Sequence, residues 1–302
     1  MRIWITVAAF AWLAATGQNI KHYPLPAGVQ GGCYLLSSPY APFPDSVRAR
    51  QPRVYNGVTY PNATHYMDSS LLVFVPDYFT DTLPQAIVFW FHGWYNHIDS
   101  SIKTFNLLQQ FYGAGKNAVY IVPQGPYNAP DSYGGKWEYR QIYEQLWSQI
   151  KPAVLPHALV GIKEHGIHSK ITLAGHSGAY RVMAKRLLAE PAYHYGSTVI
   201  LLDGLYQEMD TYYQQILTNG LRFLHVYTRD GGTAAQSQQL MKQLDAAGIP
   251  YLHKAEPAIT LDDWKKYRVI FAQSNLNHNQ VVYVGNGLMK YLKYFMIGPG
   301  SP

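Results

Sequence analysis

Ile171-Thr172-Leu173-Ala174-Gly175-His176-Ser177-Gly178-Ala179-Tyr180-Arg181-Val182-Met183 joins a short apolar run to a helix-patterned one through Gly-His-Ser-Gly. The run before the glycine reads as a strand buried on both faces, because its apolar residues do not alternate strictly with polar ones. A serine at such a strand-to-helix junction sits on a sharp, strained turn with its hydroxyl at the end of the sheet. The turn leaves little room for neighbouring side chains. Gly175 and Gly178 meet that demand, and Ala179, two after the serine, stands where the usual pattern has glycine.

Outward from this turn the chain alternates. Apolar runs at 70–75, 86–91, 118–123, 170–174, 198–203, 221–227 and 267–272 predict strands. Between them 101–112, 138–165, 178–189, 208–219, 234–247 and 286–295 predict helices. Strands alternating with helices imply an α/β fold: a doubly wound, mostly parallel sheet with helices on both faces. Residues 18–68, rich in Pro, Gly and Tyr, predict an irregular lead-in to a catalytic domain over 69–302.

A serine hydroxyl is a weak nucleophile until a base takes its proton. His278 follows the last predicted strand in Ser274-Asn275-Leu276-Asn277-His278 and precedes the C-terminal helix, where such a base belongs. His176 abuts the serine, but its side chain is expected to point away from the mouth of the turn. Two aspartates fit the chain order of serine, acid, histidine. Asp203 ends an apolar strand, so its carboxylate is partly desolvated and must find a partner. Asp230 sits in Arg229-Asp230-Gly231-Gly232, the composition of a solvated turn. Burial favours Asp203, and Asp230 is the alternative acid. For a developing oxyanion, the N–H after the serine, on Gly178, and an N–H from the loop after an earlier strand are required. Ile87-Val88-Phe89-Trp90-Phe91-His92-Gly93-Trp94 supplies that loop, with Trp94 as the second donor and His92 as a brace.

The sequence as a whole narrows the alternatives. Its 302 residues include 14% charged and 48% hydrophobic side chains, so the chain folds and is not disordered. Net charge is +6, but the basic residues are scattered rather than gathered on one face, which argues against nucleic-acid binding. Cys33 is the one cysteine, so no intramolecular disulfide forms, and its surroundings carry no nucleophile signature. No ligand cluster for a metal stands out; His165 and His168 have a ligand-like spacing at a helix end. Arg2, the uncharged apolar run 3–15 and Ala15-Thr16-Gly17 have the order of a signal peptide over 1–17. The run is short for a membrane span. A secreted or periplasmic protein with no membrane span after signal removal is the expectation. Tyrosine numbers 26. Trp94, Tyr95, Tyr127, Tyr133 and Trp137 are expected to wall an aromatic cleft, with Tyr95, Tyr133 and Trp137 binding substrate.

His92-Gly93-Trp94, Gly175-His176-Ser177-Gly178, then Asp203 or Asp230, then His278 together resemble the α/β-hydrolase superfamily over about residues 69–295. Within it the chain is similar to secreted bacterial esterases and polyester depolymerase-like serine hydrolases, which carry a loop like Val122-Pro123-Gln124-Gly125-Pro126 with Gly134-Gly135-Lys136-Trp137. The resemblance implies a Ser–His–Asp hydrolase that needs no cofactor and acts through an acyl-enzyme on a small-molecule or polymeric ester. An amide or peptide hydrolase with the same triad, and a non-catalytic binding protein on the same scaffold, are the alternatives.

Overall fold

Ala86-Ile87-Val88-Phe89-Trp90-Phe91 is buried at every position, as a strand must be when both faces of its sheet are covered. Ile87, Phe89 and Phe91 enter one apolar layer, while Ala86, Val88 and Trp90 enter the other, the two-residue alternation of a strand. The same division recurs along the central strands and places a core on each side of the sheet.

The structure is a computed structural model and describes residues 20–80, 86–154, 170–190 and 197–296. In chain order the strands are β1 (Ile20–His22), β2 (Gly31–Ser37), β3 (Arg53–Tyr55), β4 (Val58–Tyr60), β5 (Ser70–Pro76), β6 (Ala86–Phe91), β7 (Ala118–Pro123), β8 (Lys170–His176), β9 (Thr198–Leu202), β10 (Arg222–Thr228), β11 (Leu252–Ala255) and β12 (Val269–Ser274). Among the described residues ten of them form one sheet in the order β1-β2-β5-β7-β6-β8-β9-β10-β12-β11, and β3 and β4 form a separate hairpin. From β7 to β11 every pairing is parallel; β1, β2 and β5 run antiparallel to their neighbours. This is the doubly wound, mostly parallel sheet expected from the sequence.

One face is covered by the helices Tyr143–Val154, Tyr180–Ala189, Met209–Asn219 and Ala234–Ala246, through Leu146, Met183, Leu187, Ile216 and Leu240. The other is covered by Ile98–Thr104, Leu107–Gly113 and Gly287–Phe295, through Ile102, Leu108, Phe111, Leu288 and Leu292. Each such side chain contributes about 1.5–3 kcal/mol when fully buried, so the sheet is held from both sides rather than by strand pairing alone.

Three expectations need correction. Residues 18–68 are not wholly irregular: β2 pairs along its length with β5 and β1 pairs with β2, so the sheet continues across position 69. At this sheet edge Cys33 and Leu36 are buried while most of their neighbours stay partly exposed, a pattern too sparse to read as a buried strand. The helix expected over 101–112 is two helices, Ile98–Thr104 and Leu107–Gly113, broken where Asn106 turns left-handed at φ 49°; asparagine tolerates that conformation better than most residues. The helix expected over 138–165 is described only as Tyr143–Val154, preceded by a short 3-10 turn at Gly135–Glu138. The signal-peptide reading and the spacing of His165 and His168 fall outside the described residues.

Candidate active site

β8 ends at His176, and the chain turns through a 3-10 segment, Ser177–Ala179, into the helix Tyr180–Ala189. Ser177 itself has φ 55°, the strained left-handed backbone expected of a serine thrust out at a strand-to-helix turn. The loop after β6 closes on this turn. A Cβ on Gly93 would stand 2.9 Å from the Ser177 Cβ and 3.0 Å from the His176 carbonyl oxygen, so only glycine lets the two backbones approach. That approach brings the start of Trp94 beside the Ser177–Gly178 peptide.

Asp203 follows β9 and is fully buried. Its two oxygens are saturated: Oδ1 accepts from the Thr228 N–H at 3.2 Å and the Thr233 hydroxyl at 2.7 Å. Oδ2 accepts from the Thr228 hydroxyl and from His278 Nδ1, each at 2.8 Å. Burial pushes this carboxyl up, but the hydrogen bonds from His278, Thr233 and Thr228 outweigh it and hold Asp203 well below the usual carboxylate range. It is therefore ionised at neutral pH, and His278 must present its proton at Nδ1, leaving Nε2 free as a base. Asp230 is exposed on the turn after β10 and is not the residue that binds His278. Between the two aspartates, the structure brings Asp203 to the histidine.

His176 does more than its sequence position suggested. Its Nε2–H donates to the His278 carbonyl at 2.8 Å, and the two imidazole rings lie 4.4 Å apart. The side chain points away from the turn, as expected, but into the loop that carries His278. Burial lowers its pKa to about 3, with the charge of His278 adding to the effect, so it stays neutral and clamps the loop. His92 braces in the same manner. Its Nε2 accepts from the Gly125 N–H at 3.0 Å and its Nδ1–H donates to the Gly93 carbonyl at 2.9 Å, while burial lowers its pKa to about 4.

The expected aromatic cleft is only partly assembled. Trp94 is half-buried; its indole N–H donates to the Ser132 hydroxyl at 2.8 Å, and its ring lies against Gly178. Tyr95 is 55% exposed and its hydroxyl meets that of Tyr60 at 3.4 Å. The Tyr127 ring lies 4.7 Å from that of His97, tilted by 38°. Trp137 does not reach the mouth and is corrected as a substrate-binding residue, whereas Tyr133 lines a small pocket shared with His92 and Gly178. Tyr133 is buried and donates to Asp45 at 2.9 Å. Trp137 is fully buried against Phe89 and Phe91, with its N–H on the Tyr40 carbonyl at 2.6 Å. A tyrosine or tryptophan beside a glycine-rich loop reads the same in sequence whether its ring faces in or out; here the chain from 40 to 45 supplies an inward acceptor for each. In their place the β3–β4 hairpin brings Tyr55, whose ring meets Trp94 edge-on at 5.2 Å. Thr228, Thr233 and Tyr55 went unnoticed in the sequence, and so did the bond from His176 to the loop of His278. Of these only His176, adjacent to the serine, carried a local signal.

No family model matches the sequence, and no curated protein matches it. Among solved structures the chain is similar to an S-formylglutathione hydrolase from Staphylococcus aureus in its apoenzyme form, at 11% identity and a TM-score of 0.46, over 90% of this chain and 100% of that one. It is similar to a ferulic acid esterase at 12% identity and a TM-score of 0.49, over 75% of this chain and 91% of that one. It is also similar to an S-formylglutathione hydrolase from Agrobacterium tumefaciens at 10% identity and a TM-score of 0.49, over 92% of this chain and 100% of that one. Among the described residues no helix is long and apolar enough to cross a membrane.

Proposed function

We propose that this protein is a serine hydrolase that cleaves carboxylic esters through a covalent acyl-enzyme. The observation that carries the reading is the 2.8 Å bond between His278 Nδ1 and a fully buried, four-times hydrogen-bonded Asp203, next to a serine on a strained turn. In this reading Ser177 Oγ attacks the ester carbonyl carbon while His278 Nε2 takes its proton. Asp203 keeps the imidazole in the correct tautomer and stabilises the imidazolium that forms. The backbone N–H groups of Gly178 and Trp94 receive the negative charge that develops on the carbonyl oxygen. The tetrahedral intermediate collapses, His278 returns the proton to the departing alcohol, and the acyl group remains on Ser177. Water then enters, His278 takes its proton, and the acid is released with Ser177 restored.

The wider reading includes export directed by the segment 1–17, supported by the order of its basic, apolar and small residues. The test is Ser177→Ala, a small change that the turn should absorb. Wild-type protein should be labelled by a fluorophosphonate and should hydrolyse p-nitrophenyl acetate. The variant should do neither, with turnover reduced by several powers of ten. Retention of a tenth of the wild-type rate would refute the assignment.

A further inference from the structure

Trp94 enters the reaction described above only through its backbone, yet its side chain is held as well. An indole has a single hydrogen-bond donor, and that of Trp94 is given to the Ser132 hydroxyl at 2.8 Å. A Cβ on Gly178 would stand 2.5 Å from the indole Cδ1, 2.9 Å from its Nε1 and 3.0 Å from the Ser132 Oγ. The side chain of one backbone donor therefore lies across the backbone of the other, and the Ser132 hydroxyl sits where the two meet.

The loop around Trp94 is tied to the segment that carries Ser132. The Tyr95 N–H donates to the Ala129 carbonyl at 3.1 Å, and the Asn128 N–H donates to the Asn96 carbonyl at 3.0 Å. This bridge spans a strained position, because Tyr95 has a left-handed backbone at φ 53°, a conformation that persists only where its surroundings enforce it. The segment itself is anchored on both sides of Ser132. Asp131 accepts from Arg48 Nε at 2.7 Å, from the Tyr66 hydroxyl at 3.0 Å and from the Tyr133 N–H at 3.0 Å. Tyr133 donates its hydroxyl to Asp45 at 2.9 Å. Ser132 thus stands between two residues fixed by the chain from 45 to 66, and it passes that rigidity to the indole. Two N–H groups stabilise an oxyanion only when both already point at the place where it forms. A side chain's rotamer is coupled to its own backbone angles, so an indole pinned at Nε1 restrains the N–H of the same residue. A misplacement of about 1 Å in such a constellation costs roughly a hundredfold in rate.

We infer that Ser132 is a positioning residue for this reaction: by holding the Trp94 indole against Gly178 it keeps the backbone N–H groups of Trp94 and Gly178 converged on the oxyanion. The inference rests on the ester-hydrolase reading, and the experiment separates the two. Ser132→Ala removes the acceptor of the bond, and Trp94→Phe removes its donor while keeping a ring over Gly178; each tests the bond without the other. Two ketones report on the site without turnover. Benzylacetone binds as a ketone. Its trifluoromethyl analogue takes up Ser177: the serine Oγ bonds to the carbonyl carbon, the hydroxyl proton passes to His278, and the carbonyl π electrons become the charge of an oxyanion. Each single variant should weaken the fluoroketone, and lower kcat/KM for p-nitrophenyl acetate, by about tenfold or more. Benzylacetone should bind each within about twofold of wild type, because it develops no oxyanion. The combined variant should be no worse than either single one within about twofold, as expected of two halves of one interaction. A smaller loss on the fluoroketone, an equal loss on both ketones, or losses that multiply in the combined variant would overturn the role of Ser132 and leave the hydrolase standing. Ester hydrolysis that survives in Ser177→Ala would instead remove the reading on which the inference rests.

Discussion

Replacing Asp203 by asparagine changes one atom, and the surrounding hydrogen bonds determine which one. Oδ1 faces the Thr228 backbone N–H at 3.2 Å. That donor cannot turn round, so an amide nitrogen placed there would meet another N–H in a site closed to water. The amide nitrogen is therefore driven to the Oδ2 side. There the Thr228 hydroxyl, which already accepts from the Gly231 N–H at 2.9 Å, can rotate and accept. His278 cannot adapt without consequence. Its Nδ1 must accept from the new NH₂, so the ring proton moves to Nε2, the atom required to take the proton of Ser177. The expected cost is about ten-thousandfold in turnover at neutral pH, equivalent to about 5.5 kcal/mol of barrier. The folded state loses less, about 1–3 kcal/mol, because all four contacts survive as hydrogen bonds, two of them reversed in direction. The assay is turnover of p-nitrophenyl acetate at saturation, with thermal melting and circular dichroism confirming the fold. A folded Asp203→Asn protein within tenfold of wild type would refute this account. Collapse in Asp230→Asn instead would move the acid to the exposed turn.

Two further outcomes follow from buried groups. Trp137→Ala should leave KM for aryl and alkyl esters alike, because the ring lies in the core; it should cost about 3–5 kcal/mol of stability, and a selective KM change with no fall in Tm would contradict its placement. Acid should destabilise the protein early. Burial holds His92 at about 4, and His176 and His225 at about 3, whereas an unfolded histidine titrates near 6.5. Below about pH 6.5 the unfolded chain takes up protons that the fold refuses, so stability falls with pH until the folded values are reached. Each histidine contributes about 1.4 kcal/mol per pH unit, and three give about 4. The low-lying Asp203 adds a loss that begins below about pH 4 in the same direction. A urea midpoint that stays flat from pH 6.5 to 4.5 would contradict this.

The sequence showed the site where local chemistry and chain order coincide. Gly-His-Ser-Gly between a buried strand and a helix located the strained strand-to-helix turn that carries Ser177. The apolar run ending at Asp203 already favoured that carboxylate over Asp230, because an apolar strand buries whatever follows it directly. What stayed hidden depends on contacts between distant segments. Nothing around Thr228 or Thr233 announces a hydroxyl aimed at a carboxylate 25 or 30 residues earlier. The inward turn of Trp137 depends on the Tyr40 carbonyl, 97 positions away. β2 escaped notice because Gly31-Gly32-Cys33-Tyr34-Leu35-Leu36-Ser37 fully buries only Cys33 and Leu36, one in each layer, although β1 and β5 flank it on both sides.

The burial of Cys33 in β2 gives the molecule a built-in reporter. Its thiol is 2% exposed, lies opposite Phe74 of β5, and is pushed by burial up to about 12. As the only thiol in the chain, it reacts with a disulfide reagent only when the apolar layer packed around β2 opens. The labelling rate at neutral pH is therefore a clock for that opening. Compared with loss of ester hydrolysis under the same mild denaturant, the clock reveals whether the antiparallel edge peels away while the parallel centre, with its serine, histidine and aspartate, still works.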